Sequence, residues 1–277
     1  MSSDIENFLS SHPYAKSTKE NYRRVLHELV LTADLGQLDA TGLIEFLDQP
    51  GWGNSQQNVA LFCSKKFLKW KYGSLHPALA ARIPYIKPKP RRSLDPNQAL
   101  RLLACFNPYE PSGARGLAIV AFGLDTGFRR EELCSMQLAD VNFYTNTAAA
   151  ICKGGQWGYG IFSDETAHLL RQWLHFRKPA DGVGNLFISM KSGKALTGSG
   201  MSCIFKRLSK VIGFPISAHD LRASFATLST INGMPSRMGQ KAGRWASVEM
   251  FEHYTGNLQL DAARPFLPMA NLKKPNT

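Results

Sequence analysis

The run SAHDLRASFATLSTINGMPSRMGQKAGRWASVEMFEHY, residues 217–254, places a histidine, an arginine, a tryptophan and a tyrosine at spacings that fit one site. His219 and Arg222 lie three apart in the first turn of a predicted amphipathic helix, so both project from one face. The pair suits a phosphate. Arginine presents a planar fork of permanent donors, and a neighbouring histidine can donate or move a proton near neutral pH. Tyr254 follows Trp245 by nine residues, on a second short predicted helix. Each of these residues also has an ordinary structural reading: a buried histidine capping a helix, an arginine in an ion pair, a tyrosine in the core. The remainder of the chain decides between the two.

With 277 residues and 44% hydrophobic content, the chain is long enough for two ordinary domains with cores of their own. A formal net charge of +12 is large for this length and favours a polyanion over a small neutral ligand, with nucleic acid as the leading partner. The five cysteines, Cys63, Cys105, Cys134, Cys152 and Cys203, are scattered, with no C-x-x-C pair and no histidine at metal spacing. They read as reduced thiols and point to a cytoplasmic protein without structural zinc. The start, MSSDIENFLSS, has no basic stretch followed by an apolar run, and no segment is long and apolar enough for a membrane span.

Residues 1–83 read as an all-helical domain. Ser17 and Glu20 have the form of a capping box ahead of Tyr22, Val25, Leu26, Leu29 and Val30 at helical spacing. A short helix around Leu43, Phe46 and Leu47 follows, and a third begins at Asn54 or Ser55. That third helix carries Lys65, Lys66, Lys69 and Lys71, either a solvated face or a set of contacts to DNA phosphates. Residues 84–94, PYIKPKPRRSL, hold three prolines and four basic groups and read as an extended interdomain linker. Lys87, Lys89, Arg91 and Arg92 then lie along a phosphate backbone or form an ordinary charged linker.

Residues 95–277 read as a second, α+β domain. Asp95-Pro96 opens a helix, and an apolar helix follows over 116–127. In TGFRREEL, residues 126–133, Thr126 and Gly127 turn the chain and Arg129 opens another helix. Ala148 to Cys152 and Tyr159 to Phe162 read as two strands joined by a glycine-rich tip bearing Lys153, and Leu186 to Ile188 as a further short strand. The fold class is therefore mostly α with a small antiparallel sheet.

Taken in order, TGFRREEL, the hairpin lysine, HDLR at 219–222, and GRW with a tyrosine nine residues after its tryptophan resemble the tyrosine recombinases, or phage integrase family. The resemblance covers residues 95 to about 257, and the helical part before it looks like that family's core-binding domain. By motif, Arg129 and Arg222 match the two catalytic arginines, Glu132 an acidic companion, Lys153 the hairpin lysine, His219 the histidine of H-x-x-R, and Tyr254 the nucleophile. Trp245 fills a position more often held by histidine, where packing and an indole N–H hydrogen bond are expected of it. Three positions depart from the pattern. Ala223 stands where a second histidine is common, Arg244 where a glycine is common, and Gln156 where a second lysine is frequent.

The resemblance implies site-specific cutting and rejoining of double-stranded DNA through a 3'-phosphotyrosyl intermediate, without metal, ATP or other cofactor. The arginines would hold the non-bridging oxygens, His219 would act as acid or base, and Lys153 would protonate the leaving 5'-oxygen. It further implies a homotetramer on two DNA sites, with Phe266, Leu267 and Met269 of the tail docking on a neighbour or closing their own core. An arm-binding domain ahead of residue 1 is not expected, which favours a simple recombinase of the Xer or small mobile-element kind. Two alternatives stay open: a type IB topoisomerase, and an inactive DNA-binding relative.

Overall fold

The computed structural model describes residues 2–84, 86, 92–152 and 155–255. Lys87, Lys89, Arg91, Lys153, Phe266, Leu267 and Met269, all singled out above, lie outside the described residues. The chain separates into two compact units, residues 1–89 and 90–277.

The first unit is helical: α1 (Ser2–Ser10), α2 (Lys16–Thr32), α3 (Ala40–Leu47), α4 (Asn54–Tyr72) and a 3₁₀ turn at Pro77–Ala80. Its core takes Val25, Leu26 and Leu29 from α2, Leu43 and Leu47 from α3, and Cys63, Phe67 and Leu68 from α4. Asp39 starts α3 by accepting the Gly42 N–H at 2.8 Å. Helix α1 is an addition to the sequence reading. Its Ile5, Phe8 and Leu9 are fully covered, and an Asp4–Lys71 ion pair of 2.8 Å ties it to α4. Two turns are too short to register as a periodic pattern, so tertiary packing holds this helix. The Ser17–Glu20 capping box does not form. Helix α2 begins one residue earlier, after Ala15, with no side-chain cap, which leaves Ser17 inside the first turn.

The second unit runs α5 (Pro96–Ala104), α6 (Pro111–Thr126), α7 (Arg130–Ser135), β1 (Val141–Asn142), β2 (Thr147–Ile151), β3 (Trp157–Ile161), α8 (Asp164–Phe176), α9 (Gly198–Ile212), α10 (Ala218–Ile231), α11 (Ser236–Gly243) and α12 (Val248–Thr255). Asp95 and Gln98 form a reciprocal capping box on α5, with bonds of 2.8 and 3.2 Å. Helix α6 is buried on nearly every side, between α8 and α10, as its continuous apolar sequence requires. It begins at Pro111, a turn before the apolar run.

The strands form an antiparallel sheet in the order β1-β2-β3, with Thr147 opposite Ile161 and Ile151 opposite Trp157. On β2 and β3 its inner face carries small residues, Ala148 and Ala150 and then Gly158 and Gly160, so these strands lie close on the residues beneath them. The segment at Leu186–Ile188 is not a strand. It makes isolated bridges at Gln137–Asn185 and Ile188–Ala195, and its burial comes from side-chain packing and from the Trp173 indole, which donates to the Leu186 carbonyl at 2.9 Å. Apolar runs of this length fit any buried extended segment, paired or not. The architecture is mostly helical with a small antiparallel sheet, the class expected from sequence.

Candidate active site

Helix α10 carries the pair quoted at the outset. Ser217 precedes it, and Asp220, three residues on, accepts both the Ser217 N–H and its hydroxyl at 2.7 Å. This fixes the first turn, so His219 stands at the surface with Arg222 one turn further on, at the core end. Arg222 is almost wholly buried, at 1% exposure. Leu94, at the start of the unit, donates its N–H to Ser224 at 2.8 Å and braces the same helix from the other end of the sequence.

A second segment brings Arg129. Helix α6 ends at Gly127, whose φ of 59° lies in the left-handed region that glycine tolerates best. Gly127 turns its carbonyl to the Arg222 Nη1, which donates to it at 2.6 Å. Two residues later Arg129 caps α7. Its N–H donates to Glu132 Oε2 and its Nη1 to Glu132 Oε1, both at 2.8 Å. Burial, the largest influence on the Glu132 carboxyl, raises its pKa. The Arg129 N–H and guanidinium, with the charge of Arg244, outweigh burial and hold it below the ordinary glutamate value.

The third segment runs from α11 into α12. Trp245 lies against the Arg222 guanidinium, whose Cζ is 4.0 Å from the indole ring centroid. Phe225 stacks on the indole at 5.9 Å and Phe251 meets it edge-on at 5.2 Å. Tyr254, half-buried on α12, sits with its ring centroid 5.4 Å from that of Trp245. Thr227 of α10 donates to the Tyr254 backbone carbonyl at 3.1 Å, which pins the tyrosine's turn to the helix bearing His219 and Arg222.

These contacts gather Arg129, Glu132, Arg222, Trp245 and Tyr254 from three separate segments of the chain. Arg244 joins them, with Nη2 3.9 Å from Glu132 Oε2. The Arg129 and Arg244 guanidinium groups therefore share the Glu132 carboxylate, whose charge is also felt at Arg222. Burial, followed by the charges of Arg129 and Arg244, pushes Arg222 down to about 10, which leaves it cationic at neutral pH. Three buried donors of the cluster have no acceptor among the described residues: Arg222 Nη2, Arg244 Nε and the Trp245 indole Nε1. The expected hydrogen bond of the Trp245 N–H is thus not made among the described residues.

The remaining basic candidates among the described residues have surroundings of their own. Lys65 is half-buried and its ammonium donates to the Ala81 carbonyl. Lys66 and Lys69 are exposed, and Lys66 lies over the Phe62 ring at 4.6 Å. Arg92 packs on Phe214, its Cζ 4.6 Å from the ring. Arg244 is the one member that sequence reasoning did not assign to the site. Its signal was there, as an arginine standing directly before Trp245 at a position where glycine is common.

Among the described residues, no helix is long and apolar enough to cross a membrane. Comparison with known proteins places the cluster in context. The tyrosine recombinase XerA of Saccharolobus solfataricus is 30% identical over 202 residues, 72% of this chain and 62% of the archaeal protein. The tyrosine recombinase XerD of Listeria monocytogenes is 26% identical over 266 residues, 90% of this chain and 89% of the bacterial one. In three dimensions the fold matches that of the Tn1549 transposon integrase, solved in complex with transposon right end DNA, with a TM-score of 0.76 at 16% identity over 96% of this chain and 97% of that one. The family model described as the phage integrase family matches residues 92–260, which include Arg129, Arg222, Trp245 and Tyr254. The chain belongs to the phage integrase family.

Proposed function

We propose that this protein is a site-specific recombinase that cuts and rejoins double-stranded DNA by transesterification, with Tyr254 as nucleophile. The observation that carries this reading is the electrostatic imbalance of the site: three guanidinium groups near one carboxylate, with buried donors on Arg222, Arg244 and Trp245 that have no partner among the described residues. Buried donors without acceptors are rare in folded proteins, and a phosphodiester supplies both the missing oxygens and the missing negative charge. Tyr254 stands beside them.

In the reaction, the Tyr254 phenol oxygen attacks the scissile phosphorus, and the bond from phosphorus to the 5'-oxygen breaks. The protein then holds a 3'-phosphotyrosyl bond while the 5'-oxygen leaves with a proton. A free phenol titrates near ~10, so the attacking oxygen needs a base. His219, one turn from Arg222, fills that role, and Lys153 is assigned as the acid that protonates the 5'-oxygen. Arg129 and Arg222 hold the non-bridging oxygens and stabilise the extra charge on pentacoordinate phosphorus, and the Trp245 N–H adds a neutral donor. Glu132 orients Arg129. None of these steps calls on a metal or ATP, because the phosphotyrosyl bond keeps the energy of the bond it replaces.

The relatives named above are called tyrosine recombinases, and the integrase whose fold this chain shares was solved on DNA. By that likeness the partner is duplex DNA, and the working assembly is a tetramer on two sites. A suicide DNA, nicked just beyond the scissile phosphate so that the short fragment bearing the freed 5'-hydroxyl diffuses away on cleavage, provides the test. The unaltered protein is expected to form a denaturant-resistant DNA adduct, and Tyr254→Phe to bind the same DNA without forming it. An adduct in the Tyr254→Phe variant would remove Tyr254 from the mechanism. A plasmid bearing two sites then separates recombination from relaxation alone, the product expected of a topoisomerase.

A further inference from the structure

Arg244 occupies a backbone position that works against it. Its φ of 58° and ψ of 44° lie in the left-handed region, where only Asn146 joins it among the described residues that are not glycine. A side chain there is strained where glycine is not. The surrounding hydrogen bonds form a helix-terminating motif that glycine would complete without strain: the Arg244 N–H donates to the Lys241 carbonyl at 3.1 Å, and the Trp245 N–H to the Gln240 carbonyl at 3.0 Å. Strain kept at such a position points to a use for the side chain.

The side chain reaches four structural elements. Nη1 donates to the Tyr159 carbonyl of β3 at 3.1 Å and to the Ala242 carbonyl of α11 at 2.8 Å. Nη2 donates to the Thr126 carbonyl at the end of α6 at 3.0 Å and lies 3.9 Å from Glu132 Oε2. The Cζ atom is 4.0 Å from the centroid of the Phe128 ring. Strand β3 makes room for it with Gly158, where a Cβ would stand 2.6 Å from Arg244 Cδ. At 10% side-chain exposure, Arg244 turns both Nη atoms to main-chain carbonyls, and its buried Nε has no partner among the described residues. It sits behind the Arg129–Glu132 pair.

We infer that Arg244 is a positioning residue for the cleavage step: it holds Glu132, and through it Arg129, against the phosphate, and fixes the start of the segment that presents Trp245 and Tyr254. The inference rests on the reading of Arg129 as a phosphate clamp given above. A clamp works against the charge on the non-bridging oxygens. Its loss therefore matters less when one of those oxygens is replaced by a methyl group and the phosphate is neutral.

The test compares cleavage of two suicide DNAs, one with an ordinary scissile phosphate and one with a methylphosphonate there, by the full chain and its Arg244→Gly, Arg244→Lys and Arg129→Ala variants. Each variant is scored by its loss on one DNA relative to its loss on the other. Unfolded protein lowers both rates equally and leaves that ratio unchanged. Glycine suits the left-handed turn, so Arg244→Gly removes the side chain while favouring the backbone conformation. Expected is a loss of about tenfold or more on the phosphate, from misplacement of the clamp, and at most about one-third of that loss on the methylphosphonate, in the same sense as Arg129→Ala. Arg244→Lys keeps a cation beside Glu132 but not the fork, and is expected to fall between. If Arg244→Gly does not fold, the ratio for Arg244→Lys decides. Equal losses on the two DNAs, or no loss on the phosphate, overturn the inference. Should Arg129→Ala itself show equal losses, the clamp reading fails first. A shifted ratio for Arg129→Ala with none for Arg244 removes only the positioning role.

Discussion

The guanidinium of Arg222 lies 4.0 Å from the Trp245 ring, and each carries a buried N–H without a partner. The indole therefore has two separable functions, as a face for the arginine and as a donor. Trp245→Phe keeps the face and removes the donor. A hydrogen bond to a charged group is worth about 1.5–3 kcal/mol, so adduct formation is expected to slow by at least about tenfold while the thermal midpoint changes little. Trp245→Ala removes the packing as well and is expected to destabilise the fold by about 3–5 kcal/mol. Single-turnover cleavage and thermal melts of the two variants separate the contributions.

Glu132 predicts a particular dependence on pH. Its folded pKa is depressed, so the stability that its ionised form supplies is fully present above the unfolded value, near ~4.3, and is lost as pH falls through the lower folded value. Glu132→Gln removes one partner of a buried pair and is expected to cost about 3–5 kcal/mol at neutral pH. The gap in melting temperature between the two proteins is expected to be constant above about pH 5 and to close as pH drops below ~4.3. A gap that widens in acid would contradict the assignment.

Gly127 joins helix termination to the site. Alanine there meets both a left-handed φ of 59° and the Phe225 ring, whose Cδ1 would lie 2.9 Å from the new Cβ. A stability loss of about 1–3 kcal/mol is expected. Because the Gly127 carbonyl is the acceptor that seats Arg222, cleavage measured on the folded fraction is expected to fall as well.

The lysines of α4 divide by their surroundings. Lys66 and Lys69 are exposed, whereas Lys65 is held by the Ala81 carbonyl, and burial, with the nearby charge of Arg82, lowers its pKa. If the exposed pair meets DNA phosphates, replacing both with alanine reduces the slope of log affinity against log salt by about 1.8, at ~0.9 for each phosphate no longer neutralised. Lys65→Ala is expected to lower the melting temperature of the first unit and leave the slope unchanged. Binding titrations at several salt concentrations check both.

Much of this architecture was legible in the sequence because the informative residues sit in locally coded elements. Alternating small residues marked β2 and β3 to within a residue or two of their observed bounds, and the apolar run after Gly116 marked the buried helix. The TGFRREEL and HDLR motifs named Arg129, Glu132, His219 and Arg222 directly. What escaped is tertiary. Helix α1 exists because its apolar face, Phe8 included, is covered by the rest of the unit and Asp4 pairs with Lys71, and the segment at Leu186–Ile188 is buried without being paired into the sheet. Arg244 was visible only as a departure from pattern. Its carbonyl partners on β3 and α6 lie 85 and 118 residues away in sequence, where no local rule reaches.

The shared carboxylate of Glu132 also bears on the thermodynamics of the free protein. Arg129, Arg222 and Arg244 repel one another across a site with a single counter-charge, so the groups that favour a phosphate weaken the fold until one arrives. Substrate then acts as the missing structural anion. By mass action, whatever fills the site stabilises the native state in proportion to the logarithm of its saturation, about 2.7 kcal/mol at a hundred times the dissociation constant. On the proposed function, folding and DNA engagement are therefore coupled equilibria, and the arginine cluster is a point of weakness when DNA is absent.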